Sequence, residues 1–96
     1  MTIEELTEFW EKNDDEEFLK ESRLPSSDCK RSDLRAFLLL DKLVPGTRDI
    51  VSCAAHDEIW LDVDLEELAK AATQDDILTL IRCGVRLDGE SLAMFV

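Results

Sequence analysis

At Ile50-Val51-Ser52-Cys53-Ala54-Ala55-His56-Asp57-Glu58-Ile59-Trp60-Leu61-Asp62-Val63-Asp64 the hydrophobic period of this chain changes, and the fold class turns on that change. Upstream, apolar residues recur every three or four positions, the spacing of a helix with one buried face. Here they alternate or run together. Ile50-Val51-Ser52-Cys53-Ala54 reads as one strand and Ile59-Trp60-Leu61-Asp62-Val63 as another, with His56-Asp57-Glu58 as the turn between them. In the second strand Ile59, Leu61 and Val63 share one face, and Trp60 and Asp62 share the other.

Downstream, Asp64 reads as the N-cap of a short helix, Leu65 to Ala72, with Glu67 completing a capping box. Thr73 caps the next helix, with Asp75 and Asp76 in its first turn and Ile77, Leu78, Leu80 and Ile81 behind. Gly84 stands where a left-handed residue is wanted. Val85-Arg86-Leu87, Asp88-Gly89 and Ser91 to Val96 form a second hairpin around a strong turn dipeptide. Residues 49–96 therefore read as ββααββ.

Upstream the reading is helical. Thr2-Ile3-Glu4-Glu5 has the capping-box form, and Ile3, Leu6, Phe9 and Trp10 follow on one face. Asn13-Asp14-Asp15 interrupts that face, so Asp14 or Asp15 is expected to cap a second short helix carrying Phe18 and Leu19. Leu24-Pro25-Ser26-Ser27 is a break, because the residue before a proline leaves the helical region. A longer helix runs from Asp28 or Asp33 to Leu43, with Leu34, Phe37, Leu38 and Leu40 or Asp41 around the turn and the most hydrophobic core face in the chain. Val44-Pro45-Gly46 stops it. The expected fold is α+β in a single domain, 1–96: N-terminal helices (1–48) packed on a small, mostly antiparallel sheet whose two hairpins flank two short helices (49–96).

Charge narrows the function. The 96 residues hold 23 Asp and Glu against 11 Lys and Arg, a net charge of −12. Such a surface repels nucleic-acid phosphates and anionic lipid head groups and attracts basic proteins. The excess is uneven. Residues 1–24 carry nine acids and three bases, and residues 49–64 five acids and no base. Residues 25–48 alone are net positive, through Lys30, Arg31, Arg35, Lys42 and Arg48, and are expected to balance acids elsewhere in the fold. The N-terminus is acidic where an export signal would be basic, and the longest apolar run, Ala36 to Leu40, is far too short to span a bilayer. Three scattered cysteines in such a chain read as reduced thiols in a cytoplasm.

Several constellations could carry chemistry. Cys53-Ala54-Ala55-His56 has the spacing of half a zinc site, which Cys29 and Cys83 would complete. The alternative is that Cys53 and Cys83 are small core residues with His56 on a turn. Cys53 and His56 as a nucleophile and base would also need an oxyanion hole and a cleft. Asp57, Glu58, Asp62 and Asp64 could hold a divalent cation, although Asp64 already serves as an N-cap and Asp62 suits a solvated face. The helix, turn, helix and hairpin from Leu65 onward have the order of a winged helix-turn-helix. The would-be recognition helix, however, begins Thr73-Gln74-Asp75-Asp76 and holds Arg82 as its one base, so it would repel phosphates.

The expectation is a small acidic interaction protein with no catalysis, no cofactor and no metal. It would bind a basic protein surface, as an inhibitor or adaptor of the kind found among phage and mobile-element accessory proteins. The contact residues expected are Glu4, Glu8 and Glu11 on a helical stripe and Asp57, Glu58, Trp60 and Asp62 around the first hairpin, with Trp60 as the anchor. Direct contact with nucleic acid or membrane is not expected. A homodimer would form through the apolar C-terminal strand if that strand lies at a sheet edge. The alternatives are a metal-binding protein using Cys53 and His56 with Cys29 and Cys83, and a winged-helix DNA-binding or DNA-mimic protein.

Overall fold

In the computed structural model, which describes residues 1–27 and 29–95, two helices, α1 (Ile3–Glu17) and α2 (Ser32–Leu43), precede a hairpin of β1 (Val51–Ala55) and β2 (Glu58–Leu61). Two short helices follow, α3 (Leu65–Ala71) and α4 (Gln74–Arg82), then a second hairpin of β3 (Val85–Asp88) and β4 (Ser91–Phe95). The fold is α+β, and the two hairpins join in one antiparallel sheet of order β1-β2-β4-β3.

Local chemistry starts these helices. Thr2 accepts from the Glu5 amide while the Glu5 carboxylate accepts from the Thr2 amide, at 3.1 and 3.0 Å. Thr73 and Asp76 form the same reciprocal pair ahead of α4. Asp64 alone caps α3, taking both the Glu66 and Glu67 amides, and the Glu67 side chain instead pairs with Lys70, so the expected capping box there does not form. Gly84 ends α4 at φ +97, as a left-handed position requires.

One face of the sheet is the core. Leu61, Val85, Leu92 and Met94 join Leu6 and Trp10 of α1, Ala36 and Leu40 of α2, Leu68 of α3 and Ile77, Leu80 and Ile81 of α4 in one buried cluster. The register puts Glu58, Trp60, Arg86, Asp88, Ala93 and Phe95 on the opposite face. Ala93 is buried there between Trp60 and Arg86, its neighbours across the two ladders. Among the described residues no helix is long and apolar enough to cross a membrane.

Several expectations are corrected. Asn13-Asp14-Asp15 does not end the first helix; α1 continues to Glu17. Asn13 Nδ2 donates to the Phe9 carbonyl four residues back, so the side chain that could have broken the helix bonds within it. No second helix forms around Phe18 and Leu19; a single turn of 3-10 helix spans Glu21–Arg23. α2 starts at Ser32 without a side-chain cap, because its N-cap residue is Arg31, whose side chain has no acceptor to offer; Asp33 lies in the first turn, where its Oδ1 accepts from the Leu34 amide, and the alternative start at Asp28 lies outside the described residues. α2 buries Ala36 and Leu40, while Leu34 and Leu38 are exposed: the side that meets α3 and α4 is set by the small Ala36. The first hairpin turns on two residues, His56 and Asp57, with His56 at φ 55, and Glu58 already belongs to β2. β4 is an internal strand, paired with β2 on one side and β3 on the other, so it offers no free edge for the homodimer expected there; its expected last residue, Val96, lies outside the described residues.

Candidate functional site

α1 packs its apolar face on α4, α3 and the β3 end of the sheet, which leaves the other face to solvent. Along that face stand Glu4, Glu8 and Glu11, all exposed, and the stripe continues to Asp15 at the same three- and four-residue spacing. None of these four carboxylates is in an ion pair among the described residues. The helix holds one base, Lys12. Glu5 is set apart by its cap: hydrogen bonds from the Thr2 backbone and side chain hold its carboxyl below the usual range.

Acids elsewhere are matched. Glu17, at the end of α1, takes Arg82 at 2.8 Å and Arg23 at 2.7 Å, and the Arg82 hydrogen bond, with the Arg23 charge, holds its carboxyl low. Glu58 pairs with Arg86, whose guanidinium also lies 4.4 Å from the centre of the Phe95 ring. Asp62 meets Arg48 at 2.8 Å. That last pair is the one ion pair from the positive segment 25–48 to an acidic part of the chain among the described residues; of the N-terminal acids, Glu17 is paired with Arg23 and Arg82.

The seven residues expected to bind a partner lie on separate elements. Glu4, Glu8 and Glu11 lie on α1, which packs beside β3; Asp57, Glu58, Trp60 and Asp62 lie on or beside β2, and Glu58 and Trp60 reach across β4 to Arg86 and Asp88 of β3. Trp60 is half-buried on the outward face, and its indole Nε1 donates to Asp88 Oδ2 at 2.7 Å. With Glu58 and Asp62 also engaged, Asp57 is the one acid of the second group without an ion pair among the described residues. Sequence reasoning misses Asp15. The step 4, 8, 11, 15 is readable in the chain, but Asp15 reads there as a helix cap, and the uninterrupted α1 has no cap at that point.

The metal reading loses its geometry. Cys53 is exposed on β1, His56 sits in the turn, Cys83 is buried after α4, and Cys29 is half-buried with its Sγ donating to the Arg31 carbonyl at 3.6 Å. Burial pushes the Cys83 thiol up, away from the thiolate a metal needs. Among the described residues no group of three or more His, Cys, Asp or Glu side chains is placed to hold a metal ion. Asp41, Asp62 and Asp64 do line one shallow cavity of about 360 Å³ with Arg48, but Asp62 is paired to that arginine and Asp64 caps α3. On α4, the would-be recognition helix, the guanidinium of Arg82, its one base, is held by Glu17 at 2.8 Å. No protein-family model, no curated protein and no solved structure matches this chain.

Proposed function

We propose that this chain is a non-enzymatic interaction protein that binds a basic protein surface through α1, as an inhibitor or adaptor. The observation that carries the reading is the contrast among its acids. Glu17, Glu58, Asp62 and Glu67 are neutralised by bases of the same chain, whereas Glu4, Glu8, Glu11 and Asp15 form an exposed stripe with no internal partner among the described residues. Four like charges on adjacent turns repel one another, and a cationic surface laid along the helix relieves that repulsion. The stripe is also pre-organised by a helix anchored through Leu6 and Trp10, so little backbone order has to be gained on binding.

The test is capture from a native lysate by the immobilised chain, read by mass spectrometry along a salt gradient. The expected catch is basic proteins that elute as salt rises. It should be lost with Glu4→Lys, Glu8→Lys and Glu11→Lys combined and kept by Asp62→Lys. The same proteins retained by the α1 variant, with its circular dichroism unchanged, would contradict the reading.

A further inference from the structure

The two edges of the sheet are unequally protected. β3 has α1 and α4 packed against it and carries the charged Arg86 and Asp88. β1 has β2 as its one closely packed neighbour; all five of its residues, Val51 to Ala55, are exposed, and none is charged or proline. Its one irregularity is a bulge at Ser52. Proteins usually blunt such an edge with a lysine, a proline or a covering element, because its unpaired backbone groups template another strand. Alongside β1, on the helix side of the sheet, lies a groove of about 740 Å³ with Leu19, Phe37, Val51, Ile59, Cys83 and Met94 on its apolar wall; its charged members offset one another, Lys30 and Arg31 against Glu21 and Asp33.

We propose that β1 is a docking edge for an extended, basic segment of another protein. The segment adds as a fifth strand, its alternate apolar side chains enter the groove, and its Lys or Arg residues meet Asp49 and Asp57. This inference rests on the basic partner proposed above and gives it a second contact on a different surface. Backbone hydrogen bonds to the edge provide the affinity and the alternate side chains the selectivity.

Charge selects the occupant. Asp49 and Asp57 bracket the strand, and neither is in an ion pair among the described residues; Arg48, beside Asp49, is taken by Asp62. A second copy pairing antiparallel along this edge would bring its own Asp49 and Asp57 up against those of the first. Like charges directly opposed weaken a strand pair, and both copies carry a net −12. A basic strand turns both oppositions into favourable pairs.

The experiment titrates the isotope-labelled full chain with two synthetic peptides, acetyl-Lys-Val-Thr-Val-Thr-Val-Thr-Val-Lys-amide and its Glu-ended counterpart, followed by amide chemical shifts. The expected result is shifts centred on Val51 to Ala55, with the Lys-ended peptide bound about fivefold more tightly or better at low salt, as two opposite-charge pairs imply. Asp49→Lys with Asp57→Lys, both outside the strand, should reverse the preference. Glu4→Lys, Glu8→Lys and Glu11→Lys should leave peptide binding unchanged. Equal binding of the two peptides, or shifts at β1 that grow with protein concentration before any peptide is added, would overturn the proposal. Peptide binding that disappears with the α1 variant would overturn the edge while leaving the α1 reading standing, as would no peptide binding beside intact α1-dependent capture.

Discussion

The side chain of Leu19 sits directly over Gly84: a Cβ placed on Gly84 would stand 2.8 Å from Leu19 Cδ2. Both residues are left-handed, at φ 58 and +97, and the Leu19 amide donates to the Ile81 carbonyl at 3.3 Å. The chain leaving α1 is thus keyed onto the C-terminal end of α4. A bulky residue rarely takes positive φ, so this turn marks where tertiary packing has overridden local preference.

Gly84→Ala should therefore be costly twice over, once for the left-handed backbone and once for displacing Leu19. The expected loss is about 2–4 kcal/mol. Gly89, at φ +62 in the second hairpin, has open space where a methyl would stand, with nothing within 4 Å, so Gly89→Ala should cost only about 1 kcal/mol. Urea unfolding of the two variants compares them; equal losses would mean that Leu19 yields freely.

Two acids of α1 should respond to pH with opposite signs. The Arg82 hydrogen bond and the Arg23 charge hold Glu17 below its ordinary 4.5, so its contribution is present above that pH and is lost as pH falls through the lowered value. Burial first, and then Asp15, hold Asp14 above its ordinary 3.8, with Arg86 opposing; its ionisation destabilises the fold at neutral pH, and the penalty fades on acidification. Glu17→Gln should lower stability at pH 7 and Asp14→Asn should raise it, with both differences shrinking toward pH 3. Denaturation midpoints across that range check both signs.

The two tryptophans report different environments. Trp10 is 1% exposed, and Trp60 is half-buried on the outward face. Trp60→Phe should leave blue-shifted emission that resists acrylamide, and Trp10→Phe should leave a redder, quenchable one. Trp10→Ala should cost about 3–5 kcal/mol through the cavity in the core, against a much smaller loss for Trp60→Phe.

Thiol labelling should rank the cysteines by burial. Cys53, exposed on β1, should react first with an aromatic disulfide reagent and Cys29 next. Cys83, buried and with its thiol pushed up, should react only as the chain unfolds. Rapid labelling of Cys83 in the folded protein would contradict its place in the core.

What can be read from the sequence is what rests on short-range chemistry. The capping boxes at Thr2 and Thr73, the Asp64 cap, the Gly84 stop and the second hairpin each involve groups a few residues apart, and the ββααββ order follows from them, although that hairpin turns on Gly89-Glu90, one residue later than the Asp88-Gly89 pair suggests, with Asp88 in β3. The docking of the α1 end onto α4 rests instead on the Glu17–Arg82 pair, 65 residues apart, and the fate of Trp60 on Asp88, 28 residues away. Strand order is equally long-range: nothing local places β4 between β2 and β3. The candidate site divides in the same way. The Glu4, Glu8 and Glu11 stripe follows from helical spacing, while the neutralisation of Glu58 and Asp62 needs Arg86 and Arg48 from other elements.

The most direct test of the α1 reading is zero-length carbodiimide coupling of the chain to a basic protein it captures, followed by peptide mapping. Only carboxylates already against a partner lysine will join. The account predicts cross-links at Glu4, Glu8, Glu11 and Asp15; an α1 free of cross-links in a complex joined elsewhere would contradict it.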